Sequence, residues 1–133
     1  MGAICLVAIT LFVIKYNQNT LYINNTKFYI KVANTPQERT QGLSGTSILG
    51  SSKGMLFTFP YPGEYGFWMK DMNYSLDIIW ISTDKKVVSD SMSLAPSTYP
   101  RVYYPTAPAK YVLEVDAGTS KKLNIHDGTT VKF

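Results

Sequence analysis

Apolar residues recur at every second position in several short runs of this chain, and turn-forming residues separate the runs. Phe28, Ile30 and Val32 alternate with more polar neighbours, and the dipeptide Asn24-Asn25 precedes them. A period of two is that of a strand with one buried face, and Asn tolerates the backbone of a tight turn. Aromatic residues make up 14% of the chain and charged residues only 17%, which also favours strands. We therefore predict a mainly β domain that opens with a hairpin.

The rest of the domain continues this pattern of short strands. The run 76–82 is apolar on both faces, which is typical of a strand at the centre of a sheet. Further strands are predicted at 55–59, ended by the turn at Pro60, at 66–72 and at 111–115, and Val131 and Phe133 close the sheet. Four prolines lie between residues 93 and 108, so we expect no regular element there.

One segment carries the signals of a helix rather than a strand. Thr35 is placed to cap the N-terminus of the helix, Pro36 occupies the first helical position, and Glu38 completes a capping box. Gly42 stands where the helix would end in a backbone with positive φ. The sequence predicts a helix of about two turns here and a second short helix at 119–123.

The first residues of the chain form a different kind of segment. Residues 3–14 are an unbroken apolar run that ends at Lys15. The run is shorter than the roughly 20 residues that a helix needs to cross a bilayer, but it matches the apolar region of a signal peptide. We predict that residues 1–16 form an apolar helix that is a signal anchor or a signal-peptide remnant. The β domain would then occupy residues 20–133.

Other interpretations of this segment stay open. It is also compatible with an edge strand or a buried helix of the domain, although a core strand usually spans only about 4 to 8 residues. N-myristoylation at Gly2 is a weaker interpretation, because Leu6 stands where the motif requires Ser or Thr. Lys15, Lys27 and Lys31 lie on the domain side, whereas positive charge tends to stay in the cytoplasm, and an upstream basic leader would resolve this conflict.

The composition argues against several classes of function. The 13 Lys and Arg residues are scattered from Lys15 to Lys132 and form no clustered stripe, which argues against nucleic-acid binding. The only cysteine is Cys5, outside the domain, and the only histidine is His126, in a predicted turn. This excludes a metal site built from several His and Cys ligands, and a Cys-His pair within the domain. We predict neither a metal site nor a cofactor.

Several motifs occur in a fixed order along the domain. They are Arg39 with Gly42-Leu43, Gly54-Met55-Leu56-Phe57 with Phe59, Phe67-Trp68-Met69-Lys70, Leu76-Asp77-Ile78, Tyr111-Val112-Leu113-Glu114-Val115 with Ala117-Gly118, and Gly128 with Val131 and Phe133. Together these motifs resemble those of the DUF192 (UPF0127) family, although Asp71-Met72 stands where that family tends to have Asn-Thr. The family has no established function, and its members are often secreted or membrane-anchored. The resemblance implies a jelly-roll-like β-sandwich or barrel with one or two short helices.

Polar and aromatic residues within these motifs form the predicted site. Trp68 and Lys70 are expected to share one face of their strand, and Asp77 lies one short turn away on the next strand. We predict a polar cleft in which Trp68 supplies a stacking surface for a ligand. The residues expected to orient the polar groups of the ligand are Arg39, Lys70, Asp77 and Glu114. The structural alternative is a buried ion pair between one of these cations and one of these carboxylates.

Two functions are compatible with these residues. The first is a membrane-tethered extracytoplasmic module that binds a glycan, a peptide or an envelope protein without chemistry, and that is secreted if the N-terminal segment is cleaved. The alternative is a hydrolase of envelope polysaccharide, in which Asp77 with Asp71 or Glu114 acts as acid and base. That chemistry requires two carboxyl groups in one cleft, about 5 to 9.5 Å apart.

Overall fold

A hairpin begins the part of the chain that the computed structural model describes, residues 19–133. Strands β1 (Thr20–Ile23) and β2 (Thr26–Ala33) pair antiparallel around Asn24 and Asn25. The two asparagines have φ values of 46° and 62°, the backbone of a tight hairpin turn. The structure thus contains the hairpin that the alternating pattern predicts. The apolar helix predicted within residues 1–16 lies outside the described residues.

The helix α1 (Pro36–Gln41) follows the hairpin and has the predicted capping box. The Thr35 hydroxyl accepts a hydrogen bond from the Glu38 backbone N–H at 3.2 Å. The Glu38 carboxylate in turn accepts from the backbone N–H groups of Asn34 and Thr35, at 2.9 and 3.1 Å. These backbone donors hold the pKa of Glu38 below its ordinary value. Gly42 ends the helix with φ at 49°, as the sequence predicts.

The remaining elements form one large sheet, a two-stranded ribbon and a second short helix. They are β3 (Lys53–Gly63), β4 (Phe67–Trp68), β5 (Leu76–Ile81), β6 (Val87–Leu94), β7 (Val102–Tyr103), β8 (Ala109–Asp116), α2 (Thr119–Lys122) and β9 (Val131–Lys132), with a 3₁₀ turn at Pro96–Thr98. The seven-stranded sheet has the order β6-β5-β8-β3-β2-β1-β9, and β4 pairs with β7 in the ribbon. All pairs within the sheet are antiparallel except β2 with β3, which the α1 crossover makes parallel.

Two strand predictions need correction. The predicted strand 66–72 is reduced to β4, because only two of its residues find a partner, in the proline-rich segment where no regular element was expected. Strand β3 continues past Pro60 instead of ending there. It tolerates the proline because its pairing with β8 is irregular between Thr58 and Gly63, so no ladder hydrogen bond needs the missing N–H.

The sheet curls into a half-barrel. Its two ends meet where Lys86 forms a bridge with Thr130, and there the Val87 N–H donates to the Thr129 carbonyl at 2.9 Å. The mainly β class with short helices is therefore confirmed. The strands do not form the two stacked sheets of a jelly roll, because the parallel crossover keeps β1 and β2 in the same sheet as β3 and β8.

Each face of the sheet has its own apolar core. On the concave face, Leu113 from the middle of the sheet packs in one cluster with Val87 and Val131 from its two ends. On the convex face, Trp80 belongs to a cluster that Leu43 and Tyr103 complete from the segments after α1 and in the ribbon. Strand β5 is buried on both faces, as predicted for a central strand. The convex face is the one on which α1 and the ribbon leave a cleft.

Candidate functional site

A cleft of about 510 Å³ opens on the convex face of the sheet. Its walls come from α1, from the end of β3 and from β4 with the turn that follows, and its floor is β8. Four of the five predicted ligand-binding residues line it, namely Arg39, Trp68, Lys70 and Glu114. These residues come from distant parts of the sequence, and the fold brings them to one cleft.

Glu114 forms the floor of the cleft. It lies on β8 between Met55 of β3 and Ile78 of β5, and its side chain is only 6% exposed. Burial alone raises the pKa of Glu114 to about 8 from an ordinary value of 4.5, with no hydrogen bond or charge of the described residues offsetting it. At neutral pH the side chain is therefore a neutral acid with an O–H to donate into the cleft.

The tyrosine Tyr74 belongs to the surroundings of this buried acid. Its hydroxyl forms a 2.7 Å hydrogen bond with the Thr46 hydroxyl. Burial raises the pKa of Tyr74, the hydrogen bond with Thr46 offsets part of this rise, and the carboxyl groups of Glu114 and Asp116 raise the pKa further once they are ionised. Tyr74 thus stays a neutral phenol, and it adds no charge near the cleft.

Arg39 is held in a fixed position at one wall of the cleft. Its Nη1 atom donates to the carbonyls of Asn34 and Thr58, at 2.8 and 2.9 Å. The guanidinium lies over the Phe59 ring, 5.1 Å from the centroid, and Phe59 stacks on Tyr65 with ring centroids 3.7 Å apart. The aromatic pair and the two carbonyls therefore orient the cation before any ligand arrives.

Trp68 and Lys70 form the opposite wall, and they lie together as the sequence predicts. The Lys70 Nζ atom is 5.6 Å from the centroid of the Trp68 ring. Trp68 is 47% exposed and meets Tyr99 of the proline-rich segment edge-on, with centroids 5.4 Å apart. An indole that is packed along one edge and half open to solvent offers a flat surface to a ligand.

Asp77 does not belong to this cleft. It pairs with Val115 on β8, one residue from Glu114, so its side chain projects from the concave face. Its carboxylate is fully buried and accepts hydrogen bonds from the backbone N–H groups of Ser93 and Ser120, at 2.7 and 2.8 Å. Asp77 therefore ties β6 and α2 to β5, a structural role.

The carboxylates proposed for acid-base chemistry do not share one cleft. Asp77 and Glu114 project from opposite faces of the sheet, and Asp71 is exposed in the turn after β4 and does not line the cleft. Strands β4 and β5 also form no hairpin that would place Lys70 beside Asp77, because β4 pairs with β7. Within residues 19–133, no three His, Asp or Glu side chains group closely enough to hold a metal ion.

The stacked pair Phe59 and Tyr65 is the part of the site that the sequence interpretation missed. From the sequence, Phe59 was placed only within a strand, and Tyr65 was given no role. The signal was present in the sequence, because the two aromatic residues flank Pro60 and Pro62, where the pairing of β3 with β8 is irregular. Tyr65 also contacts the end of β3, since its hydroxyl donates to the Tyr61 carbonyl at 2.6 Å.

A second, more open cavity of about 810 Å³ lies against β2 and the start of β3. Lys31 and Lys53 line it, and no carboxyl group of the described residues does. It also lacks the stacked aromatic rings found beside Arg39. The cleft above Glu114 is therefore the better candidate site. In the described part of the chain, no helix is both long and apolar enough to span a membrane.

Comparisons with known proteins agree with this architecture. The family DUF192, described as "Uncharacterized ACR, COG1430", matches residues 19–133. A solved structure of a Novosphingobium aromaticivorans DSM 12444 protein of unknown function is 27% identical, with a TM-score of 0.80 over 86% of this chain and 84% of that chain. A Sinorhizobium meliloti 1021 protein, described provisionally as a transcription regulator, is also 27% identical, with a TM-score of 0.78 over 85% of this chain and 89% of that chain. No curated protein sequence matches.

The family match spans the whole described part of the chain, and it includes every residue of the cleft. The resemblance expected from the motifs is therefore confirmed over their full length. This chain belongs to the DUF192 family.

Proposed function

We propose that the protein is a membrane-tethered extracytoplasmic binding module that holds a glycan in the cleft above Glu114. The observation that carries the proposal is the combination of flat aromatic surfaces and fixed polar groups in one cavity. The face of a sugar ring is apolar and stacks on an indole, while its hydroxyl groups need hydrogen-bond partners. Trp68 supplies the stacking surface. Arg39 and the protonated carboxyl group of Glu114 supply the hydrogen-bond partners.

Binding without chemistry fits the residues of the cleft better than hydrolysis. A carboxylate-dependent hydrolase of envelope polysaccharide needs two carboxyl groups about 5 to 9.5 Å apart in one cleft. Glu114 is the only Asp or Glu among the described residues that line this one. The proposal does not include nucleic-acid binding, which the description of the Sinorhizobium protein would suggest. The Lys and Arg residues of the present chain are scattered along its sequence.

The membrane tether is a proposal that rests on the sequence. Residues 3–14 are an apolar run, and the domain behind them contains no cysteine, which is compatible with an oxidising compartment outside the cytoplasm. A tethered glycan-binding domain would hold its ligand close to the membrane surface. A peptide or an envelope protein is the other kind of ligand compatible with such a location.

Calorimetric titration of the full-length chain with a panel of envelope oligosaccharides tests the proposal. We expect saturable binding, and we expect Trp68→Ala to weaken it about tenfold, because the stacking surface is lost. Tyr22→Ala is the matched control, since Tyr22 is also a half-exposed aromatic residue but lies on β1 outside the cleft. An equal loss in both variants, or no saturable binding to any oligosaccharide, would contradict the proposal.

A further inference from the structure

We propose that the saccharide bound in this cleft is acidic, with its carboxylate held between Arg39 and Lys70. This inference rests on the proposed glycan-binding function and names the class of glycan. The ligand class would be oligosaccharides of uronic acids, which combine an apolar ring face with a carboxylate on the ring.

The charge of the cleft is the first argument. Among the described residues, its ionisable lining groups other than tyrosine are Arg39, Lys70 and Glu114. Since Glu114 is a buried neutral acid at neutral pH, two positive charges face one cavity without a compensating carboxylate in its lining. A ligand that carries one negative charge therefore fits this cavity better than a neutral one.

The hydrogen bonds of Arg39 are the second argument. Both protons of Nη1 are used, since this atom donates to the Asn34 and Thr58 carbonyls. The protons on Nε and Nη2 have no acceptor within residues 19–133. These two atoms form the parallel fork that binds both oxygens of a carboxylate. The backbone contacts thus leave free the edge of the guanidinium that recognises an acid.

The position of Lys70 is the third argument. Its Nζ atom lies over the Trp68 ring, so a sugar stacked on the exposed part of that ring would bring a ring substituent close to the ammonium group. Lys70 is exposed, and its backbone carbonyl is fixed by a 2.9 Å hydrogen bond from the Ser44 hydroxyl. The stacking surface and the second cation are therefore parts of one wall.

Glu114 makes the recognition dependent on pH. Its neighbours across the sheet, Met55 and Ile78, are apolar, and the charged groups that face the cavity with it are Arg39 of α1 and Lys70 of the turn after β4. Tyr74, whose hydroxyl lies within reach of the charges of Glu114 and Asp116, is outside the cavity lining, as is Asp116. As a neutral acid Glu114 donates a hydrogen bond to a sugar oxygen, whereas its ionised form repels an acidic ligand. Affinity for an acidic saccharide is therefore expected to fall as pH rises above neutrality.

The test compares each acidic oligosaccharide with its own methyl ester. The full-length chain in a mild detergent is titrated at pH 7 with oligogalacturonate, oligomannuronate and oligoguluronate, and then with the three methyl esters. The two forms share the sugar ring and its hydroxyl groups, and they differ at the carboxyl group, where the ester carries a methyl group in place of the negative charge. We expect at least one acid to bind about tenfold more tightly than its ester, and to lose affinity as salt is added.

Two variants assign this preference to the cleft. Lys70→Gln is expected to weaken binding of the acid about fivefold more than binding of its ester, while the exposed Lys121→Gln in α2 changes neither. Glu114→Gln is expected to keep the acid bound and to abolish the loss of affinity between pH 7 and pH 9. Esters that bind as tightly as their acids would overturn this inference and leave the glycan proposal standing. Failure of every acid and ester to bind would also overturn this inference, and the panel of envelope oligosaccharides then decides the glycan proposal by itself.

Discussion

Glu114 shows how one buried side chain determines the chemistry of its surroundings. The strand β8 carries Leu113 and Val115 toward the concave core, and the alternation places Glu114 on the convex face under α1 and β4. A carboxyl group that is taken out of water without a partner holds its proton rather than its charge. Holding this proton costs stability at every pH at which the unfolded chain would release it.

The pH dependence of stability is the prediction that follows. The folded state binds a proton up to about pH 8, whereas the unfolded chain releases it near its ordinary value of 4.5. Between these values the folded protein binds more protons, so the free energy of unfolding falls as pH rises. The contribution of Glu114 is fully present below about pH 4.5 and is lost through pH 8, on the order of 5 kcal/mol in total.

Urea denaturation of Glu114→Gln between pH 4 and pH 9 measures this contribution. Glu114→Gln is uncharged and of nearly the same shape, so it is expected to remove the part of the fall in unfolding free energy with pH that Glu114 causes. The stability of the variant relative to the natural protein should therefore rise steadily with pH. Glu64→Gln serves as control because Glu64 is exposed, and it is expected to follow the natural protein throughout. If the curves for Glu114→Gln and the natural protein run parallel, Glu114 is ionised in the folded state and the account given for the cleft is wrong.

The sequence could identify the residues of the cleft better than it could place them. Arg39, Trp68, Lys70 and Glu114 stand out because charged and aromatic residues sit inside otherwise apolar motifs. Asp77 stands out for the same reason, yet its carboxylate oxygens lie outside the cleft and accept hydrogen bonds from backbone N–H groups of β6 and α2. The alternation of side chains along a strand shows which residues share a face. Which of the two faces lines a cleft depends on how other elements pack against the sheet.

The element that was predicted in most detail is α1, because every signal that defines it is local. Its cap, its first turn and its terminal glycine all lie within eight consecutive residues, 35–42. Strand β4 is the contrasting case, because its extent depends on β7, a partner that lies more than thirty residues away in a proline-rich segment. Short-range hydrogen bonds can be inferred from sequence, whereas the length of a strand depends on where its partner runs.

The Thr35 cap gives a prediction at this scale. Thr35→Ala removes the acceptor for the Glu38 N–H and is expected to cost about 1 kcal/mol of unfolding free energy. Gln37→Ala changes an exposed residue of the same helix turn and is expected to cost less than about 0.5 kcal/mol. Thermal or urea denaturation of both variants measures the difference. Equal stabilities would mean that tertiary packing rather than the cap holds α1 in place.

At the scale of the whole molecule, the curvature of the seven-stranded sheet could not be predicted from the sequence. Alternating strands predict a mainly β domain, and the family resemblance added a sandwich or barrel, but the order of strands depends on pairings between distant segments. The parallel pair β2 and β3 and the bridge from Lys86 to Thr130 turn seven strands into a half-barrel. The same curvature leaves the convex face open to α1 and the ribbon, which form the walls of the cleft.

The proposed tether is tested on the whole chain. We expect the full-length protein to sediment with membranes after alkaline carbonate washing and to be released by detergent. Ile9→Arg places a charge in the apolar run and is expected to move the protein to the soluble fraction, since a central Arg costs about 2.5 to 3.5 kcal/mol on insertion. Ile9→Leu keeps the apolar character and is the control. A natural protein found wholly in the wash would leave the domain without an anchor in residues 3–14.

The position of β5 between β6 and β8 has a consequence for how the chain reaches its native state. β5 can pair early with β6, its neighbour in sequence, but its other edge is covered only when β8 arrives from a later part of the chain. Until then, a strand that is apolar on both faces offers unpaired backbone groups to any other chain nearby. Folding therefore competes with self-association, and the yield of native protein depends on the concentration at which the chains fold.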